Sequence, residues 1–203
     1  FWNRCPEPKL QPHWRRPAVD PVVDFCLSKG IRLHGHPLVW SSNRWQLPFW
    51  LFAKIPIDAL AKANFKRNPV NGTLENDATH AVFGDMSAEE FADKYPEYAA
   101  ELNAVVARRI MEIACRYGDK IDSWDVVNES ATDYGNGLMV PGSRICKAGC
   151  GPMPGDYTYR GFKIAESILP AHAKLNINDY NMGDEYLNQT RDLLKRGCKI
   201  DIM

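Results

Sequence analysis

The chain has no run of about 18 apolar residues, so nothing in it reads as a membrane-spanning helix. It has no surplus of charge either: 25 Lys and Arg balance 25 Asp and Glu. No basic stripe is available to neutralise a phosphate backbone. These absences argue against membrane and nucleic-acid partners. No G-x-G-x-x-G follows any strand-like run, which removes the main support for a dinucleotide-binding sheet. The opening "FWNRCPEPKLQP" has neither the basic-then-apolar form of a signal peptide nor an initiator Met, and a chain that begins inside a longer gene product is expected. Internal repeats and low-complexity tracts are also missing.

What is present is the composition of a globular chain: 203 residues, 45% of them hydrophobic and 25% charged. That suffices for one sizeable core, read as a single domain over 1–203. The six cysteines are scattered. Cys26 and Cys115 fall in helical patterns and are expected in the core. Cys146 and Cys150, in "CKAGC", lie in a Gly/Pro-rich loop, where a local disulfide and free thiols both stay open. Two such ligands do not make a zinc site.

The chain repeats one unit, in which an amphipathic helix ends at Gly or Pro and a short β-rich run follows. "DPVVDFCLSKG" offers Asp20 as N-cap, Pro21 as first helical residue, Val19, Val22, Val23 and Cys26 on one face, and Gly30 as the stop. "IRLHGHPLVW" follows as a strand. In "YAAELNAVVARRIMEIACRYG", Leu102, Val106, Ile110, Ile113 and Tyr117 recur at helical spacing. "KIDSWDVVNE" is the next strand, "DYTYRGFKIAESILP" a helix, and "AKLNIND" a strand. "DEYLNQTRDLLKRG" is a helix, and "CKIDIM" begins a fourth strand. Strands alternating with helices predict right-handed βαβ units and a parallel sheet. Two long connections, 64–86 and 133–156, read as aperiodic loops on the face where the strands end.

Polar side chains gather at the C-terminal ends of these strands, where parallel α/β folds place their sites. Arg32, His34 and His36 share one parity, Asp125 and Glu129 another shared one, and Asn176 and Asn178 a third. For each residue alone a hydrogen-bonded structural role is the plainer reading. Three strands with the same arrangement make a site.

"GHPLVW", "WDVVNE" and "NDYN", in that order on successive βα units, resemble the signatures of glycoside hydrolase family 10. The resemblance spans nearly the whole chain. It implies a (β/α)8 TIM barrel, of which this chain carries about half, strands three to six. It also implies a retaining endo-β-1,4-xylanase that needs no cofactor and no metal, with xylan or xylo-oligosaccharide as its partner and a secreted or surface-attached location. By the same resemblance Glu129 is the general acid/base and Asn128 hydrogen-bonds the sugar 2-hydroxyl. His36 and Trp40 hold the reacting sugar, Asn178 supports the acid/base, and Tyr180 borders the leaving-group side. The residue types suit the chemistry. A glycosidic oxygen needs a proton from a positioned acid, and a hydrogen bond at the 2-hydroxyl helps an oxocarbenium-like transition state. Trp45 and Trp50 are read as packing residues.

The sequence departs from the family in ways that matter. Retaining glycosidases use a second carboxyl group as nucleophile, which the family carries in a T-E-[LI]-D-like run on strand seven. No such run is present, nor is the Gln-x-His motif after strand six or the E-N-x-x-K-W motif of strand two. Asp125, expected to pair with Arg32, and Asp179, of opposite parity to Asn178, are not replacements. After "LVW" the chain reads "SSNRWQLP", with Ser41 and Ser42, and Asn176 stands at a commonly apolar position. Half a barrel exposes parallel strand edges, so poor stability as an isolated monomer is expected. Sequons stand at Asn71, Asn128 and Asn188, and glycosylation at Asn128 would block the proposed site. Two rivals remain. One is an inactive fragment or non-catalytic xylan-binding partial barrel. The other is a metal-dependent, amidohydrolase-like barrel built on the His34-x-His36 pair; it lacks histidines at later strand ends, since His172 sits at the wrong end of its strand.

Overall fold

The computed structural model describes residues 19–41, 66–67, 74–75, 86–131 and 153–203. They belong to two compact units, one of 17–40, 106–135 and 158–203, the other of 1–16, 41–105 and 136–157.

The first unit is built on a parallel sheet of three strands, β1 (Val39–Trp40), β4 (Ser123–Asn128) and β5 (Lys174–Asn178), in the order β1-β4-β5. Helix α1 (Asp20–Ser28) precedes β1, and α4 (Tyr157–Ile168) precedes β5. Helix α5 (Asp184–Lys195) follows. Helix α3 (Pro96–Tyr117) leads into β4 and contributes to both units. The expected βαβ alternation is therefore present. The first expected strand is shorter than its pattern: only Val39–Trp40 pairs continuously, with one bridge from Gly35 to Trp124 upstream. The last contributes one bridge, Asn176 to Ile202.

Apolar alternates of the strands face helices, as period-2 patterning requires. A Cβ at Gly161 of α4 would meet Val127, Val39 and the Ile110 side chain of α3 at 3.7–3.9 Å. Phe162 and Ala165 of α4 and Leu169 just after it are buried, as are Ile110, Ile113 and Tyr117 of α3. Gly35 is demanded by its neighbour, because a Cβ there would lie 2.0 Å from the Trp124 ring. Gly30 ends α1 at φ +65°, a conformation that glycine adopts without a Cβ penalty.

Strand β4 departs from simple alternation. Asp125 pairs with Asn176, but Val127 pairs with Ile177, so β4 holds one extra residue, Val126, at a β-bulge. Beyond the bulge the parity reverses. Asp125 and Asn128, three residues apart, both align with polar positions of β5, Asn176 and Asn178. Trp124 and Val127 align with Leu175 and Ile177. The expected shared parity of Asp125 and Glu129 therefore gives way to one of Asp125 and Asn128.

Three local expectations are corrected. Asp20 is inside α1 and does not cap it: Val19 holds the cap position, and the Asp20 carboxylate accepts instead from Arg116 at 2.7 Å. Only Val23 of the expected apolar face of α1 is buried, while Val19 and Val22 are exposed and Cys26 half-buried. Cys115 is exposed on α3 and not in the core.

In the second unit, the 64–86 stretch is not wholly aperiodic: β2 (Lys66–Arg67) pairs antiparallel with β3 (Leu74–Glu75). Helix α2 (Ala88–Lys94) opens with a capping box in which Ser87 accepts from the Glu90 N–H and Glu90 accepts from the Ser87 N–H. Phe91, Tyr95 and Tyr98 are buried, with Phe91 in ring contact with both tyrosines. Cys146, Cys150, Trp45, Trp50, Ser42 and nearly all of 133–156 lie outside the described residues.

Candidate active site

The polar face of the sheet carries two hydrogen-bonded groups of side chains. In the first, Asp125 is nearly buried and its Oδ2 meets His36 Nδ1 at 2.7 Å and His34 Nε2 at 3.0 Å. Ser123 Oγ lies 3.0 Å from His34 Nδ1 and accepts from Asn176 Nδ2 at 3.1 Å. The expected Asp125–Arg32 pair is not formed. The parallel register places Gly35 O on the Asp125 N–H and Asp125 O on the Leu38 N–H, which sets His36 beside the carboxylate. Arg32 lies three residues before Gly35, about 10 Å back along an extended chain.

The donors and acceptors order this group. A carboxylate only accepts, so His36 Nδ1 and His34 Nε2 both carry hydrogen toward Asp125. In neutral His34 the other nitrogen then accepts, from the Ser123 hydroxyl, which in turn accepts from Asn176. The chain runs Asn176 to Ser123 to His34 to Asp125, and Asp125 also takes the His36 proton. Neutral His36 is thereby held in the tautomer whose Nε2 is an acceptor. Arg109 steadies the same segment by donating Nε to Leu38 O at 3.0 Å.

The second group surrounds the strand tips. Asn178 Nδ2 donates to Asn128 Oδ1 at 2.6 Å. With its oxygen so engaged, the Asn128 amide presents its NH2 as donor. Trp40, half-buried, is the register partner of Asn128 on the other side. Glu129 follows with φ +52°, a left-handed conformation rare for a residue with a Cβ. That conformation costs roughly 1–2 kcal/mol and persists where its surroundings hold it. The holding contacts are the Glu129 N–H on Asn178 O at 2.8 Å, Gln189 Nε2 on Ser130 Oγ at 2.7 Å, and the Ala131 N–H on Asp179 Oδ2 at 2.8 Å. Tyr186 donates its hydroxyl to Ile177 O, and its pKa is pushed up to about 12 by burial, with the Asp179 and Asp125 charges adding to the rise.

Four of the six residues singled out in the sequence, Trp40, Asn128, Glu129 and Asn178, meet at the ends of β1, β4 and β5. His36 lies on the same sheet beside Asp125. Tyr180 follows β5 and is 77% exposed.

A family model described as glycosyl hydrolase family 10 matches residues 9–203. The chain belongs to glycosyl hydrolase family 10. Among its relatives, endo-1,4-beta-xylanase A of Halalkalibacterium halodurans is 28% identical over 207 aligned positions, covering 98% of this chain and 43% of that protein. Xylanase B of Clostridium stercorarium F9 superposes with a TM-score of 0.61 at 24% identity, over 97% of this chain and 49% of that one. A second structure, a mutant solved in complex with xylotriose, superposes at 0.50 with 25% identity, over 97% of this chain and 47% of that one. The chain thus spans about half the length of the relatives it matches and holds part of the family's (β/α)8 barrel. Family 10 membership removes the amidohydrolase-like rival: His34 and His36 are both directed at Asp125.

Four contributors were missed or misread in the sequence. Asp125 was assigned the wrong partner, and Ser123, Ser130 and Gln189 were not singled out. Gln189 is fully buried on α5, and glutamine is an ordinary helix former, so nothing in its local pattern marks it. For Ser123 the sequence did hold a signal, since it shares strand parity with Asp125.

Proposed function

We propose that the whole protein to which these residues belong is a retaining endo-1,4-β-xylanase, with Glu129 as its general acid/base. The observation that carries this reading is the left-handed turn at Glu129, held against β5 at the tip of a strand whose preceding residue, Asn128, has its amide oriented by Asn178. Family membership supplies the reaction class, and the relatives are named as xylanases.

In this reading Glu129 protonates the departing glycosidic oxygen and later takes a proton from water. The Asn128 NH2 donates to the sugar 2-hydroxyl, an interaction that strengthens as the anomeric carbon becomes cationic. His36 Nε2, as acceptor, takes a hydrogen bond from another hydroxyl of the same sugar, and the Trp40 ring offers an apolar face. Tyr180 lines the leaving-group side. Neither Asp125 nor Asp179 serves as nucleophile, because the first is committed to two imidazoles and the second to two backbone N–H groups. The second carboxylate comes from the remainder of the barrel. Since xylan lies outside cells, the protein acts as a secreted or surface-attached enzyme.

The test is release of reducing sugar from xylan by the whole protein, with Glu129→Gln as control. Wild-type activity with a drop of roughly 100-fold or more in the variant is expected, the scale of general acid–base catalysis. A whole protein that releases no sugar sinks the assignment. For the 203 residues alone a second reading, sugar binding without cleavage, is favoured by the commitment of both aspartates.

A further inference from the structure

We infer that Asp179 is a positioning residue for Glu129, acting through the backbone of the turn that carries it; this rests on the xylanase reading above. Three consecutive residues, Glu129, Ser130 and Ala131, are each tied to β5, the loop after it or α5. The Glu129 N–H donates to Asn178 O and Ser130 Oγ accepts from Gln189 Nε2, both neutral hydrogen bonds between described residues. Ala131 is held by a charged group, the Asp179 carboxylate, at 2.8 Å. Hydrogen bonds from backbone N–H groups to an ionised acceptor are roughly twice as strong as neutral ones.

Asp179 is itself fixed. Its other oxygen accepts from the Asn181 N–H at 2.8 Å, so the side chain closes a turn on its own backbone and cannot swing away without losing both bonds. Asn181 repeats the device, accepting from the Gly183 N–H at 3.0 Å where α5 begins. The loop after β5 is thus rigid and presents one carboxylate oxygen to the loop after β4. Asn178 and Asp179, adjacent in sequence, grip the Glu129 turn at both ends: a carbonyl before it and a carboxylate after it. Loss of the second grip lets the turn relax toward negative φ, and that swings the Glu129 side chain out of the position the left-handed turn gives it.

A general acid that is displaced rather than absent has a distinctive kinetic signature. A sugar with a poor leaving group needs the proton and slows. Dinitrophenyl xylobioside, whose phenolate departs unaided, does not slow in the bond-breaking step. Asp179→Ala in the whole protein should lower kcat/KM on xylan roughly 10- to 100-fold, within the range of general acid catalysis. Its kcat/KM on dinitrophenyl xylobioside should stay within about 3-fold of wild type, since proton donation is not required there. Asp179→Asn keeps one acceptor oxygen and should fall between. Azide, a nucleophile that needs no base, should raise kcat of Asp179→Ala on the dinitrophenyl substrate. A parallel loss on both substrates, or no loss on either, overturns the inference and points to a merely structural or idle aspartate. An inactive wild type would sink the xylanase reading instead. Amide exchange then decides for Asp179: faster exchange at Ala131 in Asp179→Ala upholds the grip, and unchanged exchange removes it.

Discussion

Asn178 donates its side-chain amide to Asn128 at 2.6 Å, so one asparagine sets which end of the other faces away from it. The bond exists because of the bulge at Val126. Without the extra residue, Asn128 would point to the helix-covered face and Asn178 would align with Val127 instead.

Polarity reversal at this pair tests the arrangement. Asn178→Asp replaces a donor by an acceptor and should turn the Asn128 amide around, placing its oxygen where its NH2 stood. Asn178→Ala only releases it. Both should lower kcat/KM on xylo-oligosaccharides by roughly 10- to 100-fold, the equivalent of losing one to two well-placed hydrogen bonds. The aspartate variant should be at least as poor as the alanine one. A near-wild-type Asn178→Asp would show that the orientation of Asn128 is immaterial.

Asp125 offers a second test, read by nitrogen chemical shifts. Asp125→Asn can present its NH2 to His36 or its oxygen, but not a carboxylate to both imidazoles. The His36 ring should then populate both neutral tautomers, where wild type shows Nδ1 protonated. The substitution should also cost about 1–3 kcal/mol of stability, through buried groups left unpaired.

Gly35→Ala should destabilise the fold at the seam between the His36 segment and β4. The new methyl group would sit 2.0 Å from a Trp124 ring carbon, so the ring or the strand must shift. Overpacking of this kind costs about 1–3 kcal/mol, which lowers Tm by at most about 2–4 °C per kcal/mol in a protein larger than these 203 residues. Thermal unfolding of the whole protein checks it, and an unchanged Tm would mean that Trp124 yields freely.

Asp201 sets a pH dependence. Burial pushes its carboxyl up, but the Leu175 N–H, Lys174 and Lys199 outweigh burial and hold it below the ordinary carboxylate range. A lowered folded-state value means the stabilisation is complete above the unfolded-state value near 3.8 and is lost as pH falls through the folded one. Acid unfolding curves of wild type and Asp201→Asn should therefore converge below about pH 4. Curves that stay parallel down to the acid limit would remove Asp201 from the acid transition.

The helices and strands were largely legible because each carries its own local signal. Gly30 stops α1, and α3, α4 and α5 lie within two residues of their expected bounds. Helix α2 was not read from the sequence, although the Ser-x-x-Glu spacing of its capping box at Ser87 and Glu90 is a local signal. The order "GHPLVW", "WDVVNE", "NDYN" placed His36, Asn128, Glu129 and Asn178 on one sheet edge.

The sequence by itself determined the alternation of helix and strand, the family, and which strand ends carry amide and carboxylate, since these rest on periodicity and on residue type at short range. Only the tertiary structure decided which face Asn128 occupies, which partner Asp125 takes, and what holds Glu129 left-handed. Those depend on the register of one strand against another. A single extra residue in β4 is invisible in "DVVN" until β5 is laid beside it, because hydrogen-bond geometry between strands, and not local propensity, selects where the bulge falls.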